Sequence, residues 1–377
     1  MACAPAQEFD FAVVGGGLVG MAIAWGLAGL GRRVVVLDEG DLAYRASRGN
    51  FALVWVQSKG SGLSEYAHWT IRSSHNWPEF AQALKAQTGL DVCFAKPGGF
   101  HLLLSEQEVE NRANALKRLH NQPGMQGFSY EMLDHAQVEK MLPQVGPDVA
   151  GASFCPLDGH VNALRLLRAL HVAFARLGGS YHANHRVERI EPRAGEFRLH
   201  TANRQIAAGR VVLAAGLGNS RLAPMVDLNA PVRPQRGQII VTEKVAPFMH
   251  YVVHTIRQTD EGGVMISDSV EEAGYDLSVG SEVLSVMADR AIRMFPLLGR
   301  LDVVRCWAAL RVMPKDGFPI YDQSQACPGA FVATCHSGVT LAANHALVLP
   351  PLIDAGTVRN GSLAAFSTRR FDVSTAH

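Results

Sequence analysis

Three glycines and one acid near the start of the chain have the spacing of a dinucleotide-binding turn. Gly15, Gly17 and Gly20 form a GxGxxG pattern, and Asp38 follows about twenty residues later. Such glycines allow a tight turn, a close approach of a pyrophosphate to the backbone and close packing of the next helix on a sheet. The helix N-terminus attracts phosphates, and the acid accepts hydrogen bonds from ribose hydroxyls. We therefore predict that this turn binds a dinucleotide.

The segments around the turn have the pattern of a βαβ unit. Residues 11–14 predict a strand, an alanine-rich run to Gly31 predicts a helix, and residues 33–37 predict a second strand before Asp38. One alternative is a glycine turn in an unrelated βαβ unit. A second is a membrane helix, because residues 11–31 are uncharged and long enough to span a bilayer. The glycines and the acid-capped strand argue against a span. Asp38 disfavours a 2′-phosphate, so NADP is not expected, whereas NAD and FAD both remain.

The composition is that of a globular enzyme. The chain has 377 residues, of which 48% are hydrophobic and 18% are charged, enough for one large or two medium domains. A net charge of +1 without a lysine and arginine block gives no reason to expect nucleic acid or an anionic membrane as a partner. Met1–Asp10 lacks the basic region, apolar region and cleavage site of a signal peptide, so we expect a cytoplasmic location.

Six cysteines are scattered along the chain without a CxxC spacing or a metal-type pairing with histidine. They are Cys3, Cys93, Cys155, Cys306, Cys327 and Cys335. This distribution suggests neither a zinc nor an iron–sulfur site, so no metal is expected and reduced thiols are the default.

The chain alternates between two kinds of pattern. The chain begins with a βαβ pattern, returns to an α/β pattern near its middle and ends with a βα pattern. Two inserted segments separate these three parts, and the second of them is rich in antiparallel strand patterns. We therefore predict an α/β fold whose Rossmann-like nucleotide-binding domain is assembled from residues 1–85, 150–230 and 306–377. The inserted segments at 86–149 and 231–305 are predicted to form a discontinuous antiparallel-sheet cap domain for the substrate.

Two helices are predicted in enough detail to be checked. Residues 63–88 have helical spacing of apolar residues, and Pro78 is expected to start a second helix within them. Residues 163–177 are expected to form an amphipathic helix whose buried face includes Leu177, with the following glycine pair as its stop.

Motifs at five places along the chain match one protein family. In chain order they are Gly15–Gly20 with Asp38, Ala214-Ala215-Gly216, Arg233–Gln238, Leu310-Arg311 with Asp316-Gly317, and Ser337–Leu341. With these motifs the chain resembles the FAD-dependent amino-acid oxidases and dehydrogenases of the D-amino-acid oxidase and glycine oxidase superfamily. The resemblance spans nearly the whole chain and implies an FAD-binding domain of the GR2/DAO type with FAD as cofactor.

Three segments resemble one branch of that family most. They are Asn50–Gly60, Arg311–Tyr321 and Cys335–Ala342. The branch contains the β subunits of opine oxidases, D-hydroxyproline dehydrogenases and hydrogen cyanide synthase, which are flavin dehydrogenases that work with partner subunits. Two positions depart from the family pattern. Asp38 stands where many relatives have Glu, and Val312 stands where glycine oxidases have Pro, so the placement of the preceding arginine is not fixed by the resemblance.

The resemblance implies a set of residues that hold FAD. These residues are Gly15, Gly17, Leu18, Val19, Gly20, Asp38, Glu39, Ser47, Arg48, Gly49, Asn50, Val187, Ala215, Gly216, Ser337, Gly338, Val339 and Thr340. The polar segment Tyr44–Phe51 suits a second phosphate and a ring contact, with a plain surface loop as the alternative. By resemblance, Ser47–Asn50 within it are expected to line the pyrophosphate and the isoalloxazine. Val187 is expected to contact the adenine through its backbone, and Gly216 to close over the adenosine end. Ser337–Thr340 is expected to open a helix whose amides stabilise negative charge on the reduced flavin.

For the substrate, the resemblance implies that Arg311 binds a carboxylate. A guanidinium grips a carboxylate in a two-pronged geometry that lysine cannot reproduce. The alternative is an ordinary strand-end arginine in an ion pair. His254, Tyr251 and Tyr275 fall in the cap, where relatives have substrate-facing aromatics, with core packing as the alternative. Lys59 could pair with an acidic substrate group, although a solvated lysine is the preferred interpretation.

The expected protein is therefore an FAD-bearing catalytic subunit that oxidises a secondary-amine amino acid, either cis-4-hydroxy-D-proline or an opine. Partner subunits are expected to carry an iron–sulfur centre and a further flavin. A self-contained oxidase that releases hydrogen peroxide is the enzymatic alternative. A flavin-bearing electron-relay subunit without its own substrate is the second alternative. An NAD-dependent dehydrogenase would leave the C-terminal glycine motif unexplained.

Overall fold

The computed structural model describes residues 8–40, 46–125 and 129–372. Cys3 and the first two residues of the polar segment, Tyr44 and Arg45, lie outside these ranges. The helices are α1 Leu18–Gly29, α2 Ala46–Gly49, α3 Ser64–Thr88, α4 Glu106–Asn121, α5 His135–Met141, α6 Ala163–Arg176, α7 Asn219–Leu222, α8 Ser281–Met294, α9 Ala342–Leu347 and α10 Leu349–Ala355.

Strands occur along the whole described chain. They are β1 Phe9–Val14, β2 Val34–Leu37, β3 Leu53–Val54, β4 Gly99–Leu103, β5 Glu131–Asp134, β6 Gly151–Cys155, β7 Gly159–His160, β8 Ser180–His182, β9 Val187–Arg193, β10 Glu196–Thr201, β11 Gln205–Leu213, β12 Val232–Lys244, β13 Val252–Val253, β14 Ile256–Gln258, β15 Gly263–Ile266, β16 Val303–Pro314, β17 Ile320–Gln323 and β18 Ala330–Thr334.

The main sheet has the order β17-β18-β11-β1-β2-β8, with the β9–β10 hairpin paired to the first half of β11. At its centre β1 runs parallel to both β11 and β2, with Val13 opposite Val212 and Val36. These strands are buried on both faces, which explains their continuous apolar sequence. Residues of α1, α3, α6 and α9 share one hydrophobic core with this sheet. The predicted βαβ unit around the glycine turn is confirmed.

Two smaller sheets form a second region of the molecule. One has the order β14-β15-β12-β16 and is antiparallel, and the other has the order β13-β4-β6-β5. Both contribute to one core, in which Phe100, Ile240, Val264 and Phe295 are at most 3% exposed. The long β12–β16 ladder pairs Gln235 with Arg311. The mixed α/β fold that the sequence predicts is therefore observed, and both smaller sheets are antiparallel apart from the parallel β13–β4 pair.

The domain boundaries at residues 85, 149, 230 and 305 stay a prediction. Two strands of the smaller sheets extend past the predicted cap ranges. Strand β6 at Gly151–Cys155 pairs with β4 and β5, and most of β16 lies beyond residue 305.

Two details of the helix predictions are wrong. Pro78 does not start a second helix, because α3 runs unbroken through it from Ser64 to Thr88. A proline removes one helical hydrogen bond, but burial of a long apolar face outweighs that loss. The buried residues of α3 include Trp69, Trp77 and Phe80. Leu177 is 40% exposed rather than buried, because α6 ends at Arg176.

The uncharged stretch at residues 11–31 is not a membrane helix. It contains most of β1, the glycine turn and the 12-residue helix α1. Within the described ranges, no helix has both the length and the apolar character needed to cross a bilayer.

Candidate active site

A cavity of about 830 Å³ opens at the carboxyl edge of the main sheet and extends to the β12–β16 ladder. The cavity is lined by the residues that directly follow four strands of this sheet, β1, β2, β11 and β18. These residues are Gly15, Asp38, Ala214 and Cys335. Ligands of open parallel sheets bind at this edge. The volume falls in the usual range of cofactor and small-molecule sites, about 300–1,000 Å³.

Nearly all predicted cofactor residues line this cavity. They are Gly15, Gly17, Leu18, Val19, Asp38, Glu39, Ser47, Arg48, Gly49, Asn50, Val187, Ala215, Gly216, Ser337, Gly338, Val339 and Thr340. Gly20 is not among the lining residues, and it serves the packing of α1, since a Cβ there would collide with the Gly15 carbonyl. Of the predicted substrate residues, Arg311, His254 and Tyr275 line the cavity and Tyr251 does not. The individual roles of these residues stay predictions.

The glycine turn requires glycine at its first position. Gly15 has a φ of +111°, and a Cβ would collide with the carbonyl group of Ala214, which directly follows the neighbouring strand β11. Gly17 is the N-cap of α1, whose first-turn amides have no partners within the helix. The turn therefore exposes main-chain atoms without side chains, together with a helix N-terminus, to the cavity. This arrangement suits a phosphate group.

Asp38 braces this turn from the end of β2. Its Oδ2 accepts a hydrogen bond from the Gly16 amide at 2.7 Å, and its Oδ1 accepts one from the Gly40 amide at 3.1 Å. The side chain is only 7% exposed. The carboxylate lines the cavity directly after β2, at the place predicted for the ribose hydroxyls.

The segment Ser47–Asn50 lies against the turn. The Leu18 amide donates to Ser47 Oγ at 2.9 Å, and Asn50 Nδ2 donates to the Ser47 carbonyl at 2.7 Å. On the other side, Trp307 Nε1 donates to the Gly49 carbonyl at 3.2 Å. The Oδ1 atom of Asn50 is buried without a hydrogen-bond partner in the described part of the protein. An unpaired buried acceptor beside a cavity is a position where a ligand donor is expected.

At the other side of the turn, β9 and the segment after β11 complete the cofactor end. Arg221 Nη2 donates to the Val187 carbonyl at 2.7 Å, which fixes the start of β9. The Ala215 amide donates to Asn219 Oδ1 at 2.9 Å, and the next residue, Gly216, has a φ of +56°. These bonds hold the backbone that lines the predicted adenosine site.

The Ser337–Thr340 segment forms a turn rather than the first turn of a regular helix. Helix α9 begins only at Ala342, although the Leu341 amide already donates to the Ser337 carbonyl at 3.0 Å. Side-chain bonds fix this turn. Tyr66 Oη and Ser337 Oγ lie 2.8 Å apart, and the Trp55 amide donates to Thr340 Oγ1 at 3.1 Å. The main chain at Gly338 is therefore held in place at the cavity wall.

Main-chain acceptors hold Arg311, and among the described residues it forms no ion pair. Its Nη1 donates to the Arg236 carbonyl at 3.1 Å and its Nη2 to the Ser269 carbonyl at 2.9 Å. A Cβ on Gly237 would lie 2.5 Å from both nitrogens, so the guanidinium occupies space that only glycine leaves. Desolvation by burial lowers the pKa of Arg311, and the charges of Glu271 and Asp268 oppose that shift.

Among the predicted aromatics, His254 and Tyr251 have different environments. His254 lies between Trp55, with ring centroids 5.1 Å apart, and His101, on which it stacks at 4.7 Å. Burial, together with the charges of Lys59, Arg112 and Arg311, lowers the pKa of His254 to about 4, so its imidazole is neutral at pH 7. Tyr251 packs edge-on against Phe100 and Phe154 in the core shared by the two smaller sheets. Tyr275 lines the cavity and is 53% exposed.

The preferred sequence interpretation of Lys59 as a solvated lysine is wrong. Lys59 is half-buried and lines the same cavity as Arg311. Desolvation lowers the pKa of its ammonium to about 8. The local sequence carries no signal for this burial, because it arises from groups that are distant in the chain.

These features identify the family of the chain. Residues 10–349 match the family model described as FAD dependent oxidoreductase, and the chain belongs to that family. It is an FAD-dependent oxidoreductase, as the motifs predict.

Comparison with known proteins confirms the expected relatives. The chain is 46% identical over 369 residues to an opine oxidase subunit of Agrobacterium tumefaciens (strain Ach5), covering 98% of this chain and 99% of that protein. It is 22% identical over 420 residues to hydrogen cyanide synthase subunit HcnC of Pseudomonas protegens, covering 97% of each. The crystal structure of glycine oxidase from Geobacillus kaustophilus superposes with a TM-score of 0.86 at 25% identity, covering 98% of this chain and 99% of that one.

The cavity fits FAD on observations of the chain itself. The glycine turn admits no Cβ at Gly15, the first turn of α1 faces the same cavity, and Asn50 Oδ1 is a buried acceptor without a partner in the described residues. One continuous cavity joins these groups to Arg311, so a ligand as long as a dinucleotide has room beside a substrate carboxylate.

Proposed function

We propose that this protein oxidises the C–N bond of a secondary-amine amino acid, either cis-4-hydroxy-D-proline or an opine such as octopine or nopaline. The similarity to the opine oxidase subunit supports this class of substrate, since it covers almost the whole chain at 46% identity. When bound, FAD supplies the hydride acceptor at its N5 atom. The protein's own task is then to bind and orient the substrate and to keep water away.

The observation that carries this proposal is the position of Arg311. Two main-chain oxygens hold its guanidinium at the cavity wall, on a strand paired over its full length with β12. Arginine has five N–H donors, so these two bonds leave others for a substrate carboxylate. A carboxylate fixed there orients the adjacent carbon, and such positioning accounts for a large share of many enzymatic rate enhancements.

The other walls of the cavity contribute shape and electrostatics. Leu53, Trp55, Ile239 and Leu310 provide apolar surface that limits access of water. His254 remains neutral at pH 7, so it adds no positive charge next to a substrate nitrogen that must lose its proton before oxidation. We assign to the backbone amides of Val339 and Thr340 the stabilisation of negative charge at the pyrimidine side of the reduced flavin.

We further propose that the chain is the catalytic subunit of a larger complex. Two relatives, the opine oxidase subunit and hydrogen cyanide synthase subunit HcnC, are themselves named as subunits, which supports this role. In this proposal the electrons leave through partner subunits with an iron–sulfur centre and a further flavin. A self-contained oxidase that releases hydrogen peroxide is the alternative, supported by the similarity to glycine oxidases.

The test is anaerobic bleaching of the flavin absorbance by candidate substrates. The purified protein is mixed with octopine, nopaline, cis-4-hydroxy-D-proline, D-proline, sarcosine or glycine, and air is then admitted. Rapid bleaching by a secondary-amine amino acid with slow recovery in air is the expected result. Quick recovery with hydrogen peroxide would favour the oxidase. If no compound bleaches a bound flavin, the proposed function is wrong and an electron-relay subunit takes its place.

A further inference from the structure

A second cation lies in the part of the cavity around Arg311 and has no role in the function proposed above. We call this part the substrate end and define it by Lys59, His254, Asp268 and Arg311, which all line the cavity. The charges of Lys59 and Arg311 act on each other and on His254, so the three groups are near neighbours.

The ammonium of Lys59 has no hydrogen bond or ion pair in the described part of the chain. The charge of Asp158 acts on Lys59, and Asp268 lines the same cavity, but both carboxylates are engaged by other groups. Asp158 accepts from the Val56 amide at 2.5 Å and from Gln57 Nε2 at 2.7 Å. Asp268 lies 3.5 Å from Arg290 Nε. Burial raises the pKa of Cys335 to about 12, so no thiolate balances the charge of Lys59 at pH 7.

The backbone that carries Lys59 is rigidly held. The Trp55 amide bonds to Thr340, the Val56 amide bonds to Asp158, and Gln57 Nε2 donates to the Gly99 carbonyl at 3.0 Å. The Lys59 amide itself donates to the Val56 carbonyl at 2.9 Å. Because these bonds fix the turn, the Lys59 side chain belongs to the cavity wall and is not a surface lysine folded inward.

An unpaired, partly buried ammonium is costly, and an anionic ligand group recovers that cost. Arg311 alone is sufficient for the single carboxylate of a cyclic amino acid such as hydroxyproline. A second cation at the same end matches a ligand with a second acid group. N-carboxyalkyl amino acids have this form, because each carbon bonded to the amine nitrogen carries its own carboxylate.

We propose that Lys59 binds the second carboxylate of a secondary-amine dicarboxylic acid while Arg311 binds the first. This inference rests on the proposed function and narrows its substrate to N-carboxyalkyl amino acids, the opine arm of that proposal. Lys59 is then a specificity-determining residue, because it separates substrates with two acid groups from those with one.

The test compares matched ligands that differ by one carboxylate. Octopine and N-ethylarginine form one pair, and iminodiacetate and sarcosine form a second; both pairs are assayed by anaerobic flavin reduction. Thiodiacetate and methylthioacetate form a third pair that contains no oxidisable amine, so binding is measured from the perturbation of the visible flavin spectrum. The variants are Lys59→Met, Lys59→Arg and, as a control on an exposed lysine, Lys140→Met.

We expect wild-type protein and Lys140→Met to prefer the dicarboxylate of each pair. In Lys59→Met the ratio of the two affinities falls by about 30-fold, and Lys59→Arg recovers most of it. An unchanged ratio in Lys59→Met overturns the inference, even if secondary amines bleach the flavin. If no amine bleaches the flavin, the proposed function fails, while the thiodiacetate pair still decides for or against the Lys59 subsite. The flavin spectrum of each variant reports whether it has folded.

Discussion

The two ends of the cavity are constructed differently. The wall of the predicted cofactor end is largely main chain, formed by the Gly15 turn, the first turn of α1 and the turn at Gly338. The wall of the substrate end consists of charged and aromatic side chains on segments that are far apart in sequence, such as Lys59, His254 and Arg311. The first end therefore tolerates few changes of any kind, whereas the second end allows specificity to change one side chain at a time.

The largest effect is expected at the cofactor end, from Gly15→Ala. The added Cβ would collide with the Ala214 carbonyl, and the φ of +111° is unfavourable for alanine. We expect the protein to be purified without FAD and therefore without colour, so that flavin reduction by any substrate is lost completely. The measurement is the ratio of flavin to protein absorbance, with circular dichroism as a check of folding.

Gly29→Ala is the matched control for Gly15→Ala. Gly29 ends α1, the helix that follows the glycine turn, and a Cβ there would meet nothing within 4 Å. We expect full FAD content and a gain in stability of about 0.5–1 kcal/mol in thermal unfolding. Loss of colour in this variant as well would mean that the turn is not the sensitive element.

The second largest effect is expected at the substrate end, from Arg311→Ala. Loss of the carboxylate anchor is expected to slow anaerobic flavin reduction by about 1,000-fold, while the protein stays yellow. Arg311→Lys should recover only part of the rate, because lysine cannot make a two-pronged contact. Arg305→Ala, on an exposed position of the same strand, is the control. Unchanged reduction in Arg311→Ala would remove this residue from the site.

The same contrast explains what could be predicted from the sequence. The cofactor turn is local: Gly15, Gly17 and Gly20 lie within six residues, and their spacing alone carries the geometry. The local signal at Pro78 misleads because the burial of α3, not the proline, determines the helix. The sequence does not separate Tyr251 from His254, since both fall in the predicted cap range and only tertiary packing decides which one reaches the cavity.

Lys59 shows most clearly where prediction from the sequence ends. The pKa of Lys59 depends on burial and on the charges of groups that lie far away in the chain, namely Asp158, Cys335 and Arg311. No local pattern distinguishes such a lysine from a solvated one. Lys59 lies in Asn50–Gly60, one of the segments that carry the family resemblance, but the resemblance assigns it no role.

An intermediate effect is expected from Gly237→Ala, which disturbs Arg311 without removing it. The new Cβ would lie 2.5 Å from the guanidinium nitrogens and force them away from the Arg236 and Ser269 carbonyls. We expect a loss of about 10- to 100-fold in the rate of flavin reduction with normal FAD content, because small displacements of an anchored group are costly.

The control for Gly237→Ala is Gly263→Ala in the same sheet. There the nearest atom to an added Cβ lies at 3.6 Å, so the strand has room for it. Similar losses in both variants would indicate damage to the sheet and not displacement of Arg311.

The smallest effect is expected in the pH dependence of thiodiacetate binding, which reports on Lys59 at the substrate end. Desolvation lowers the pKa of Lys59 in the free protein to about 8, and a bound carboxylate favours the ammonium and raises that pKa. Affinity is therefore fully present below pH 8 and falls as the pH rises through 8, by about tenfold per unit until the pKa of the complex is reached.

Most other ionisable groups near Lys59 titrate in pH ranges different from its own. Arg311 stays charged, burial raises the pKa of Cys335 to about 12, and His254 has a pKa of about 4. The raised pKa of Asp158, about 7, is the one close enough to interfere, and burial causes that shift. Lys59→Arg separates the two contributions, because arginine does not titrate in this range. A flat profile in Lys59→Arg with a falling one in the wild type assigns the titration to Lys59, whereas equal slopes would assign it to Asp158.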